Sequence, residues 1–118
     1  VALDIRMYVK DEIEEISLML KKLMETLIDM SENNLDTVMA GYTHLQKAQP
    51  ITFAHYVMAY FQMFKRDYER LQDAYKRTDY MPLGSGALAG TTFPLDRNLV
   101  KDILGFSAII TADTLFTS

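Results

Sequence analysis

His44 is one of two histidines in the chain and stands in the polar run Gly41-Tyr42-Thr43-His44-Leu45-Gln46-Lys47-Ala48-Gln49-Pro50. An imidazole can take up and release protons near neutral pH. Thr43 adds a hydroxyl, and Gln46 and Gln49 add two amides, a donor and acceptor set suited to holding a polar ligand. A single histidine between helices is by itself ordinary structural material; its polar neighbours turn this segment into a candidate site. His55, the other histidine, lies beside Tyr56 in a helical pattern and reads as a packed or surface residue. No cysteine or clustered carboxylate accompanies either histidine, so their spacing does not describe a metal site. A second unusual stretch, Leu83-Gly84-Ser85-Gly86-Ala87-Leu88-Ala89-Gly90, follows Pro82. Its glycines permit positive φ and the close approach of another backbone or a ligand. It lacks the Lys-Ser/Thr of a phosphate-binding loop and no strand leads into it, so a nucleotide loop is set aside.

Rigid elements must hold these segments, and the apolar spacing supplies them. Ala2, Ile5, Val9, Ile13, Ile16, Leu20, Leu23, Leu27 and Met30 recur in steps of three and four, a heptad-like seam that predicts a helix over about 2–32. Ser31-Glu32-Asn33-Asn34 reads as its stop, and 33–50 as a polar turn. Phe53, Val57, Tyr60, Phe64, Tyr68, Leu71 and Tyr75 predict a second helix over about 52–79, with Thr52 as N-cap and Pro82 beyond its end. A Gly-rich loop over 82–93 and a short helix over about 95–104, stopped by Gly105, complete the pattern. Leu18, Met19, Met24 and Ile28 lie off the first seam and Met58, Phe61 and Met63 off the second. Helices apolar on several sides expect several neighbours. The expected fold class is therefore all-α: a long-helix bundle with a Gly-rich loop and a short C-terminal helix, residues 1–118 forming part of one bundle domain that assembles as an oligomer.

Composition narrows the function. The chain has 118 residues, is 49% apolar and carries a formal net charge of −4 with Lys and Arg dispersed among acids, which speaks against disorder and against a nucleic-acid partner. No segment reaches the roughly 18 apolar residues of a membrane span, and the N-terminal sequence lacks the order of a signal peptide. The absence of cysteine fits a reducing compartment, the cytoplasm. The chain starts without Met and already in helical register, as a piece of something larger would. Residues 107–118 have no clear period.

Gly41-Tyr42-Thr43-His44-Leu45-Gln46, Ala48-Gln49-Pro50, Pro82-Leu83-Gly84-Ser85-Gly86-Ala87-Leu88-Ala89-Gly90 and Phe93-Pro94-Leu95-Asp96-Arg97 closely resemble the argininosuccinate lyase family of the aspartase/fumarase superfamily. The likeness covers Val1 to about Phe106, around a quarter of a typical member. Fumarase and adenylosuccinate lyase share the Thr-His followed by Gln but differ in the preceding Gly-Tyr and in the glycine segment. The resemblance implies a central helical bundle shared in a homotetramer, and reversible elimination of fumarate from argininosuccinate to give arginine, with neither metal nor organic cofactor. It implies a catalytic acid/base place for His44, a substrate contact for Thr43, and a share in shaping the substrate site for Gln46 and Ser85. It further implies that a Ser-Arg-Asn-Asp-Gln motif would precede Val1, that a Gly-Ser-Ser loop bearing the catalytic serine would follow Ser118, and that the active site draws on three subunits. The chain alone is then expected to be inactive. In Ile109-Ile110-Thr111-Ala112-Asp113-Thr114-Leu115-Phe116-Thr117-Ser118 the sequence departs from the family pattern. Two other readings are a helical structural or interaction module without catalysis, and another fumarate-releasing lyase of the superfamily.

Overall fold

The computed structural model describes residues 1–111; residues 112–118 of the divergent tail lie outside the described residues. Three helices, α1 (Ala2–Glu32), α2 (Phe53–Thr78) and α3 (Arg97–Leu104), carry most of the described chain, and the fold class is all-α. The contacts divide the chain into two compact units, one of Val1–Glu14 with Gln72–Ser118 and one of Glu15–Leu71.

In the unit of Glu15–Leu71, α1 ends where the sequence turns to Asn. The last turn of α1 holds no basic residue to answer the helix dipole. The Asn33 and Asn34 side chains instead donate to the carbonyls of Asp29 and Met30, satisfying acceptors the helix leaves open. The segment that follows is where the sequence expectation fails. In place of a polar turn over 33–50, the chain forms a hairpin of β1 (Val38–Thr43) and β2 (Gln46–Thr52), paired antiparallel from Val38↔Thr52 to Thr43↔Gln46. Helical spacing could not reveal it, and the turn carries none of the Gly or Asn that usually signals a hairpin. The Thr52 hydroxyl then accepts from the His55 amide and caps α2. Ala54 and Val57 are buried, and the Lys21 ammonium lies 5.2 Å from the Tyr68 ring centre, tying α1 to α2.

In the other unit, α2 gives way to the short strand β3 (Tyr80–Met81), which pairs parallel with β4 (Ala108–Ile109). The crossover between them contains the glycine loop and α3. That helix begins at Arg97, two residues later than its spacing suggests, because Asp96 serves as the N-cap: its carboxylate accepts from the Leu99 amide at 3.0 Å. Gly105, at φ 70°, ends the helix in the left-handed conformation, and the Phe106 amide reaches back to the Lys101 carbonyl. Met81 and Phe106 are buried in this unit.

Lys10 is the polar centre of that core. Its ammonium pairs with the Asp79 carboxylate, donates to the Gly105 carbonyl at 2.8 Å and lies 4.3 Å from the Phe106 ring centre. Burial pushes the Asp79 carboxyl up, but hydrogen bonds from Lys10 and Ser107 and the lysine charge outweigh it and hold the group below its ordinary value. Nearby, Tyr75 donates to Glu14 at 2.7 Å, and this bond, with burial, pushes the phenol up to about 12. Arg6 donates to the carbonyls of Arg77 and Thr78, filling acceptors at the end of α2.

Only part of the apolar seam of α1 faces inward, with Ile13 buried and Val9, Leu20 and Leu27 half-buried. Lys10, Ile13, Ser17 and Ser31 are buried, whereas Ile5, Ile16, Leu23 and Met30 are 57%, 42%, 42% and 41% exposed. The remainder of the seam stays uncovered.

Candidate functional site

Thr43, His44 and Gln46 sit together at the tip of the hairpin. His44 and Leu45 form its two-residue turn, with φ of 48° and 62°. Both central residues at positive φ is the requirement of the type I′ turn, whose twist matches that of the two strands it joins. Glycine or asparagine normally meets it; histidine tolerates it, and leucine is strained. Leu45 gains nothing locally in return, being 94% exposed. Strain of this kind persists where surrounding structure or function requires it.

A bulge below the tip sets the direction of the turn. The pairing passes from Gly41↔Gln49 to Tyr42↔Lys47, so Ala48 has no opposite residue, and such an insertion bends and twists the ribbon. Gly41 faces this irregularity. A Cβ there would stand 3.0 Å from the Gln49 carbonyl oxygen and 3.2 Å from Ile51 Cγ2, so glycine is what allows the strands to close up. Pro50 fits because each strand of a two-stranded ribbon has a free edge, where a missing N–H costs no pairing.

Among the described residues, the Thr43 hydroxyl, the His44 imidazole and the Gln46 amide take no side-chain hydrogen-bonding partner. All three are exposed. Thr43 and Gln49 also line a cleft of about 640 Å³ between the hairpin and the start of α2, with Met39, His55 and Tyr56 on its walls. Its chemistry is mixed: an imidazole, a hydroxyl and an amide set among apolar groups. The Tyr56 hydroxyl shares a 3.0 Å hydrogen bond with that of Tyr60, with their rings edge to face, and this bond raises the Tyr56 phenol above its ordinary value. The sequence pattern placed His55 and Tyr56 on a helix but gave no sign that they wall a cleft. That follows from the hairpin folding back beside the first turn of α2, a juxtaposition no helical periodicity encodes.

Ser85 belongs to the other unit and is not on this hairpin. Its hydroxyl donates to the Pro82 carbonyl at 2.8 Å and accepts from Arg97. The loop closes on itself through a 2.6 Å bond from the Gly90 amide to the Ser85 carbonyl. Gly86, at φ 65°, would bring a Cβ to 2.3 Å from the Gly90 oxygen, so only glycine passes there. Among the described residues no group of three or more His, Cys, Asp or Glu is arranged to hold a metal ion, and no helix is long and apolar enough to cross a membrane.

Comparison with known proteins agrees with the resemblance in the sequence. The chain is 67% identical over 109 residues to an argininosuccinate lyase of Desulforamulus reducens and 66% identical over 109 residues to one of Acetivibrio thermocellus, each match covering 92% of this chain and 24% of the relative. It therefore spans about a quarter of the length of these relatives. Among solved structures, an EDDS lyase in complex with formate superposes with a TM-score of 0.90 at 33% identity, covering 93% of this chain and 22% of that one. A fumarate lyase from Mesorhizobium sp. BNC1 superposes with a TM-score of 0.68 at 30% identity, over 75% of this chain and 21% of that one. A family model described as Lyase matches residues 1–117, and the chain belongs to that lyase family.

Proposed function

We propose that this chain is the central helical segment of an argininosuccinate lyase and that its hairpin tip supplies one part of a composite active site. In the reaction a proton leaves the carbon beside a carboxylate, the bond from the neighbouring carbon to the guanidino nitrogen breaks, and the double bond of fumarate forms. The nitrogen gains a proton and departs as arginine. The carbon acid is weak, so the reaction needs a well-placed base and donors aimed at the charge that develops on the carboxylate.

The observation that carries this reading is the strained two-residue turn at His44 and Leu45, which lifts an unpartnered imidazole between Thr43 and Gln46. In it His44 holds or moves a proton in the acid/base machinery, Thr43 donates to a substrate carboxylate, and Gln46 and Ser85 shape the site. The remaining groups come from chain beyond these residues and from other subunits. The exposed part of the α1 seam, at Ile16, Leu23 and Met30, supports assembly into a homo-oligomer, a tetramer on the family pattern. The same reading makes this a cytoplasmic enzyme of arginine biosynthesis, with no nucleic-acid or membrane partner.

Fumarate release from argininosuccinate by the full-length lyase carrying this segment is the test. His44→Ala should reduce turnover by about a hundredfold or more while helicity is kept, the scale expected for removing a positioned proton-transfer group. Unchanged turnover would take His44 out of the mechanism. Preference for malate, aspartate or adenylosuccinate over argininosuccinate would move the enzyme to another branch of the superfamily.

A further inference from the structure

Arg97 makes two hydrogen bonds to the glycine loop and a third to the chain after β4. Its Nε donates to the Leu83 carbonyl at 2.9 Å, and one terminal nitrogen donates both to Ser85 Oγ at 3.3 Å and to the Ile110 carbonyl at 3.2 Å. These acceptors belong to two separate stretches, the loop and the residue just after β4. The planar guanidinium can serve them together because its donors leave in a fixed fork, which a lysine ammonium lacks. The approach is also steric. A Cβ on Gly84 would lie 2.8–2.9 Å from Nε, Cδ and Cγ of Arg97, so the arginine stem crosses the loop where a side chain would otherwise stand. Gly84 has φ 90° and Gly86 φ 65°, conformations that glycine adopts without strain.

The consequence falls on Ser85. A hydroxyl has one hydrogen and two lone pairs. Here the hydrogen goes to Pro82 and one lone pair receives Arg97. What Ser85 can offer to a bound molecule is the remaining lone pair, and its natural complement is an N–H of an ammonium or guanidinium group rather than a carboxylate oxygen. From this geometry we propose that Arg97 is the positioning residue of the glycine loop, fixing Ser85 as a hydrogen-bond acceptor for the nitrogen-bearing part of the substrate. This rests on the reading of Ser85 as a substrate-facing residue given above; Arg97's hold on the loop stands apart from it.

Two measurements separate these layers. The first is amide hydrogen exchange in this chain, comparing wild type with Arg97→Lys. The Ser85 and Gly90 amides, bonded to the Pro82 and Ser85 carbonyls, should lose protection in the variant, while the β1–β2 hairpin amides keep theirs. Retained protection at Ser85 and Gly90 would overturn the proposal whatever the enzyme does. The second is steady-state kinetics of the full-length lyase carrying Ser85→Ala, Arg97→Lys and both. Ser85→Ala and Arg97→Lys should each raise the KM for argininosuccinate about tenfold or more, with a smaller change in kcat, and the double variant should be no worse than the poorer single. Multiplying effects in the double variant, or an Arg97→Lys enzyme that is less heat-stable but has an unaltered KM, would show that Arg97 does not act through Ser85. A wild-type enzyme that releases no fumarate would instead refute the proposed function, and the exchange measurement would still decide whether Arg97 holds the loop.

Discussion

At the scale of single residues, the turn at His44 and Leu45 poses a physical question: why a leucine occupies a left-handed position that glycine would fill without strain. A non-glycine residue there costs on the order of 1–2 kcal/mol, and Leu45 recovers none of it by burial within this chain. Leu45→Gly should therefore raise the thermal stability of the chain by about 0.5–1 kcal/mol, the relief of strain less the extra freedom glycine has when unfolded. A melting temperature that falls would mean the turn is not strained. His44→Asn tests the neighbouring position differently, since asparagine accepts positive φ but cannot shuttle protons as imidazole does. The hairpin should persist, judged by cross-strand nuclear Overhauser effects between Thr43 and Gln46, while turnover of the full-length enzyme falls as far as in His44→Ala. The residue types here were legible from sequence, because an imidazole flanked by a hydroxyl and amides announces itself. Their geometry was not. A turn reading Thr-His-Leu-Gln contains no local instruction for a hairpin, and Ala48 gives no hint that it is a bulge.

At the scale of elements, helices were easy to read and the links between them were not. The caps at Thr52 and Asp96 and the stop at Gly105 follow from side-chain chemistry within a few residues, so sequence exposes them. The Lys10–Asp79 pair joins positions almost seventy residues apart in a chain whose apolar spacing makes Lys10 look like a solvated neighbour of Val9. Because the side chains are only 10% and 15% exposed, removing one partner strands the other in the core, and Asp79→Asn should destabilise the unit by about 3 kcal/mol. The pH dependence has a definite sign. The folded carboxyl titrates below its unfolded value, so its contribution is complete above about pH 4 and is lost as pH falls through the lower folded value. Wild type should lose melting temperature steadily below about pH 4, and Asp79→Asn should lose less over the same interval. Parallel profiles would exclude the pair as the source of acid sensitivity.

At the scale of the whole molecule, the unusual property is how little apolar surface the chain covers. Ile16, Leu23 and Met30, each seven residues after the last, stay more than two-fifths exposed along α1, and Met19 and Met63 are about half exposed. A stripe with that repeat is what a facing helix would bury in a coiled-coil-like seam. The inward stripe of α1 runs through Lys10, Ile13, Ser17 and Ser31 with Leu20 and Leu27 half-buried, so the seam is split: one part serves the chain's own packing, and the part at Ile16, Leu23 and Met30 is left for something else. Apolar periodicity therefore disclosed that a helical seam exists but not which partner each part meets, because one run of three-and-four spacing passes through both the covered and the uncovered residues. If another copy covers the exposed face, sedimentation velocity should show the 118-residue chain moving from monomer to larger species as concentration rises. Leu23→Glu together with Ile16→Glu should shift it back, since two carboxylates cannot be buried unpaired in such a seam. Neither residue packs in the buried stripe, so far-ultraviolet circular dichroism should keep its helical signal. A chain that stays monomeric at all concentrations and binds no apolar dye would mean that this surface is tolerated in water and needs no partner.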